Sequence, residues 1–155
     1  MGTISGSKRI DAPPMQVWSM LSDLPSMGEL SPENAGGRWE RGVTGPAVGA
    51  RFTGSNRQGR RRWSTRVQVT RCVPGEEFAF AVRIFGLPVA DWAYRVTPED
   101  ADSCSVTETW TDRRGALLLR LGPLTTGVSD RADYTKQSIE TTLATLKARS
   151  EAGGA

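Results

Sequence analysis

The segment that most constrains the fold is an amphipathic stretch near the end of the chain, at about residues 129–150. Asp130 can serve as its N-cap. Asp133, three residues on, gives a capping-box arrangement and places negative charge at the positive end of the helix. Val128, Ala132, Ile139, Leu143 and Leu146 recur at spacings of three, four or seven and share one face, with Lys136, Glu140, Lys147 and Arg149 off that stripe. Such a rod spans roughly 30 Å and needs a wide apolar surface to lie on. Everything before it reads as strands, so the expected partner is a sheet. The functional question is whether the helix seals the sheet or leaves a cavity.

Residues 3–10 can form a first strand, broken by Asp11-Ala-Pro-Pro. Val17, Trp18, Met20 and Leu21 then give an apolar side to a proline-led helix at about 14–22. Residues 26–30 fit a second short helix, stopped by Ser31-Pro32. Strands are expected at 39–42, 50–56, 63–73, 78–85, 89–98 and 104–113, separated by turn signals such as Pro74-Gly75 and Gly86-Leu-Pro88. Residues 116–121 are apolar with helical potential, interrupted by Gly122-Pro123. Short turns between strands favour an antiparallel sheet, and hence an α+β domain over residues 1–150 with 151–155 as a flexible tail.

Composition narrows the function. A hydrophobic fraction of 37% and a charged fraction of 24% exclude a disordered chain, and no apolar run is long enough for a membrane-spanning helix. No basic segment leads into an apolar core, so no signal peptide and a cytoplasmic location are expected. The net charge of +3, from 20 basic and 17 acidic residues, does not call for nucleic acid as a partner. Histidine is absent, which removes Ser-His-Asp and Cys-His catalysis and any histidine metal site. Proton transfer, if any, falls to Asp, Glu, Tyr, Cys or Lys. Cys72 and Cys104 form no CxxC and are expected as reduced, buried or edge-strand thiols. No cofactor and no metal are expected, since acidic residues never cluster at ligand spacing and no glycine-rich segment matches a nucleotide loop.

Val17-Trp18, Asp23-Leu-Pro25, Trp39, Gly49-Ala-Arg-Phe52-Thr-Gly54, Trp63, Trp92-Ala-Tyr94 and Val106-Thr-Glu108-Thr-Trp110 occur in an order that resembles the SRPBCC (START-like, Bet v 1-like) superfamily. The chain looks most like its actinobacterial polyketide cyclase/dehydrase type, over about residues 3–149. The resemblance implies a helix-grip fold: a curved seven-stranded antiparallel sheet around a long C-terminal helix, with short N-terminal helices and a deep apolar cavity. Members bind lipids, sterols, polyketides or other hydrophobic molecules, and a minority are enzymes. Many relatives carry Trp in the second short helix where this chain has Leu30.

Phe52, Trp63, Thr65, Phe80, Trp92, Tyr94, Glu108 and Trp110 are the candidate cavity residues, with Phe80 against Phe78 depending on register. Aromatic area there serves ligand binding or an ordinary core equally well. Glu108 shares a strand face with Val106 and Trp110. It is either a carboxylate in an apolar cavity, with a raised pKa, or, the favoured alternative, half of a structural pair with Arg95 or Arg83, or turned outward by a bulge. Asn56 is expected in a turn role, Tyr134 at the cavity mouth or in solvent, and Arg57–Arg62 at a solvated hairpin tip. Met27, Leu30 and Val128 are the candidate gate. The leading expectation is a small hydrophobic ligand held by a monomer or weak homodimer. The alternative is an aromatase/cyclase-type enzyme using Glu108 or Tyr94 for proton transfer.

Overall fold

The computed structural model describes the backbone of residues 2–126 and 130–153 and the side chains of residues 2–121 and 130–153. The strands are β1 (Thr3–Ile10), β2 (Asn34–Trp39), β3 (Arg51–Gln58), β4 (Arg61–Val73), β5 (Glu77–Ile84), β6 (Leu87–Asp100) and β7 (Ser103–Asp112). The helices are α1 (Pro14–Leu21), a short 3₁₀ helix (Leu24–Glu29), α2 (Ala116–Thr126) and α3 (Arg131–Gly153). The strands form one seven-stranded antiparallel sheet in the order β1-β7-β6-β5-β4-β3-β2. Only the step from β1 to β2 leaves the meander. It carries α1 and the 3₁₀ helix from one edge of the sheet to the other.

Register breaks at Asn34/Gly37, Val69/Arg71, Val82/Arg83 and Pro98/Asp100 mark bulges or irregularities, which bend a sheet and increase its twist. The concave side takes α3, which packs on β1 and β7 and against α1. This is the helix-grip α+β architecture.

Several boundaries differ from the sequence reading. β2 covers 34–39 and ends where a strand was expected to begin, because Asn34 pairs with Asn56 and Gly37 with Gly54 along β3. α2 continues through Gly122-Pro123 as far as Thr126. α3 runs on to Gly153, so the first three residues expected as tail are helical. Glu151 is tied down there by Lys147 one turn earlier and by the backbone N–H of Asp11, 3.2 Å from Oε1.

At the start of α3, Asp130 Oδ1 accepts the N–H of Asp133 at 3.0 Å, as an N-cap should. Asp133 does not close a capping box, because its carboxylate takes Gln137 Nε2 at 2.9 Å instead. The buried face is Thr135, Ser138, Ile139, Thr142, Leu143, Leu146 and Ser150. Ala132 is exposed, and Val128 lies outside the described residues. The helix therefore meets the sheet with the small hydroxyls Thr135 and Ser138 in its first two turns and with Ile139, Leu143 and Leu146 through its middle. That division sets where the interior is filled and where it is open.

α3 approaches β1 at Gly6, where a Cβ would lie 2.7 Å from Ile139 Cγ2. Ile139 is β-branched and fully buried, with no free rotamer to move into. Gly6→Val is expected to cost about 1–3 kcal/mol by overpacking. Gly2→Ala, with nothing within 4 Å, is expected to change stability by less than about 0.5 kcal/mol. Urea denaturation of the two variants checks this.

Candidate functional site

A cavity of about 270 Å³ lies between the sheet and the first half of α3, with α2 and the 3₁₀ helix at its sides. The register builds its wall. β5 and β6 pair Phe80 with Trp92, and β6 and β7 pair Trp92 with Trp110 and Tyr94 with Glu108. A row of aromatic rings thus crosses adjacent strands at one level, with a Tyr-Glu pair beside it. On the β3–β4 side, Phe52 stands opposite Val67, and Asn56 opposite Trp63. Thr65 faces Gly54, where a Cβ would come within 2.9 Å of its hydroxyl oxygen.

All the cavity candidates read from the sequence lie on this wall, from Phe52 on β3 through Trp63 and Thr65 to Trp110 on β7. Phe78 is fully buried but packs edge-on against Trp18, with ring centroids 6.5 Å apart. Phe80 is the one of the two on the wall. Asn56 is also on the wall. Its side-chain amide donates to Thr65 Oγ1 at 3.1 Å, so the turn role expected for it gives way to a place in the cavity. Of the gate candidates, Met27 is on the wall, Leu30 is buried off it, and Val128 lies outside the described residues.

Glu108 departs from the favoured expectation. Neither arginine reaches it: Arg95 pairs with Glu77 at 2.8 Å, and Arg83 donates to the Gly86 carbonyl at 3.3 Å. The carboxyl is 2% exposed. Its Oε1 accepts the Tyr94 hydroxyl at 2.8 Å, and its Oε2 has no partner among the described residues. Burial pushes its pKa up to about 8, opposed by the hydrogen bond from Tyr94. Burial also lifts the Tyr94 phenol well above its usual value, helped by the neighbouring carboxyl. Around neutral pH the pair is therefore a neutral acid and a neutral phenol. Glu108 itself is one of the cavity's lining residues.

The mouth holds charges that the sequence reading missed. Glu33 pairs with Arg131 at 2.7 Å, and the Arg131 guanidinium lies 5.3 Å from the centre of the Tyr134 ring. Tyr134 donates to Gln58 Oε1 at 3.0 Å, which fixes it at the mouth. Arg114 holds Asp112 through Nε and Nη2 at 2.9 and 2.7 Å and lies 6.0 Å from the Trp110 ring. Glu33 and Arg131 are 98 residues apart, so no local pattern could have joined them. No group of His, Cys, Asp or Glu among the described residues could hold a metal ion.

The sequence matches, over residues 1–151, the family described as polyketide cyclase / dehydrase and lipid transport. The chain belongs to this family. Among solved structures it is similar to a Polyketide_cyc-like protein, Cgl2372, from Corynebacterium glutamicum, at 27% identity and a TM-score of 0.62, covering 95% of this chain and 90% of that one. It is also similar to StfQ, a di-domain ARO/CYC from the steffimycin biosynthetic pathway, at 18% identity and a TM-score of 0.70, covering 97% of this chain and 51% of that one. A third is DR_A0006 from Deinococcus radiodurans, at 15% identity and a TM-score of 0.70, covering 98% and 99%. At such identities the last two speak for the fold. No curated protein matches in sequence. A hydrophobic-ligand or cyclase-type scaffold is what this family membership supports.

Glu108 makes stability depend on pH. Its pKa is raised from 4.5 in the unfolded chain to about 8 in the fold. Between those values the unfolded chain releases a proton that the folded chain keeps, so its contribution is fully present below pH 4.5 and is lost as pH rises toward 8. The slope from this group is at most about 1.4 kcal/mol per pH unit. Glu108→Gln keeps an acceptor for Tyr94 and is expected to remove that slope, gaining on the wild type between pH 5 and pH 8 in urea titrations.

Proposed function

We propose that this protein binds one small hydrophobic molecule, lipid-, sterol- or polyketide-like, between the sheet and α3, oriented by a single polar anchor at Glu108 and Tyr94. The observation that carries this reading is the unpartnered Glu108 Oε2 in a wall otherwise made largely of aromatic and aliphatic side chains. A buried polar atom left without a partner costs about 1–3 kcal/mol. A ligand that supplies the partner recovers that cost only when bound, which ties affinity to one oriented contact. While Glu108 keeps its proton, Tyr94 donates to Oε1 and the acid can donate to a ligand oxygen. The aromatic rings around it supply contact area with little side-chain entropy to lose. Met27 is the proposed gate residue among the described ones.

A second reading, an aromatase/cyclase-type enzyme, is favoured by the same pair. An acid with a pKa of about 8, hydrogen-bonded to a phenol, is suited to proton transfer near neutral pH. The two readings separate cleanly. A binding protein raises its melting temperature with ligand and leaves the ligand unchanged. An enzyme converts it, and Glu108→Gln stops conversion while binding persists.

The test is thermal denaturation against a panel of lipids, sterols and aromatic polyketides, with tryptophan fluorescence as a second readout. A true ligand at a hundred times its Kd is expected to add about 2.7 kcal/mol of stability. Ser138→Phe, which fills the cavity from the helix side, is expected to weaken binding by at least about tenfold, or 1.4 kcal/mol. A panel without effect on the wild type would sink the reading.

A further inference from the structure

The cavity mouth carries an apolar rim that stays exposed although Phe85, Leu87, Leu117 and Leu121 also line the cavity. Phe85, at the tip of the β5–β6 hairpin, is 97% exposed. Its φ of 51° and the 78° of Gly86 are those of a tight two-residue hairpin turn, whose first position ordinarily takes Asn, Asp or Gly. A bulky aromatic residue in that conformation is strained. The turn therefore explains Gly86 and gives no reason for Phe85. Leu87 follows, 39% exposed.

On the same mouth, α2 leaves Leu117, Leu119 and Leu121 at 58%, 50% and 46% exposure. From Ala116 to Leu121 its one polar residue is Arg120, also exposed. A helix apolar on nearly every side is ordinarily buried in protein or lipid, yet among the described residues α2 packs mainly on β4.

The charge around this rim is mainly basic: Glu33, Asp91 and Asp112 are each held by an arginine, Arg131, Arg113 and Arg114. The stretches 57–66, 83–89 and 113–121 contain no acidic residue. They carry Arg60, Arg61 and Arg62 at the β3–β4 tip, Arg83 beside Phe85, and Arg113, Arg114 and Arg120 about α2. The tips point to one end of the sheet, since β4 and β5 are antiparallel with Arg66 opposite Arg83, and the β3–β4 tip extends beyond the β5–β6 tip.

We propose that this rim is a docking surface for a membrane bearing anionic lipids. Phe85, Leu87 and the exposed leucines of α2 enter the acyl region, and the exposed Arg60, Arg62, Arg83 and Arg120 meet headgroup phosphates. Apolar insertion and a basic patch are the two signals that together give stable peripheral attachment. Attachment is peripheral because no helix among the described residues is long and apolar enough to cross a membrane. A second copy of the chain fits the rim less well, since its own arginines would face these. Docking would place the cavity mouth against the bilayer. The surface stands whether or not the cavity holds a ligand.

The experiment is vesicle flotation of the whole protein, comparing phosphatidylcholine vesicles with vesicles that also contain phosphatidylglycerol. Binding to the anionic vesicles alone, weakening as salt rises, is the expected result. Phe85→Ser together with Leu119→Ser is expected to lower partitioning by about tenfold or more, and Arg120→Gln by about fivefold. Leu119 and Arg120 lie off the cavity wall, so their single variants leave any ligand-induced stabilisation intact. These are exposed side chains, and circular dichroism verifies that the variants fold. Absence of binding to anionic vesicles would overturn the proposal. So would binding that the variants leave unchanged, or self-association through the same residues in place of vesicle binding.

Discussion

One helix about 10 Å across cannot cover seven strands spaced about 4.8 Å apart. The rest of the structure follows from that mismatch. α3 settles over β1 and β7, where Gly6 lets Ile139 approach the sheet and Leu143 and Leu146 complete the core. α1 covers the next part, with Trp18 against Phe78 and its indole N–H donating to the Glu77 carbonyl at 2.8 Å. What remains uncovered is the concave face of β3 to β6 beneath the first half of α3. There the helix offers Thr135 and Ser138 in place of leucines. Large rings on the sheet and small hydroxyls on the helix leave open space between them.

Within that space, the position of Glu108 is set by backbone pairing. Gly6 and Tyr94 flank it on the neighbouring strands at one register level. A glycine on one side leaves room, and a tyrosine on the other supplies a hydrogen bond to one oxygen only. Burying an ionised carboxylate with a single partner is costly, so the group holds its proton to about pH 8. The half-satisfied acid is an energetic weak point of the fold. The mouth is organised differently. Glu33–Arg131 and Arg114–Asp112 keep their charges paired at its edge, while Phe85, Leu117, Leu119 and Leu121 remain in water.

Much of this was legible in the chain. Alternation along residues 63–69 and 92–96 named the inward face, because the pleat repeats every two residues. Trp63, Thr65, Trp92, Tyr94 and Trp110 all sit on the cavity wall. Other features were not legible. The favoured arginine partner for Glu108 was wrong, since Arg95 on the opposite face belongs to Glu77. Asn56 looked like a turn residue because it stands two residues before the end of β3, yet its partner is Thr65 across the hairpin. β2 was misplaced because Asn34-Ala-Gly-Gly has little strand propensity and is held extended by its pairing with β3 and its packing on the 3₁₀ helix.

By itself, then, the sequence determined the order of elements, the meander, the long closing helix and the identity of the inward-facing aromatic residues. These depend on periodicity and turn chemistry, which act over a few residues. Only the tertiary structure decided that the space between helix and sheet stays open, that one oxygen of Glu108 lacks a partner, and that Phe85 and α2 share a mouth. Each depends on distances between residues far apart in the chain, and those are set by how α3 and the bulged sheet pack together.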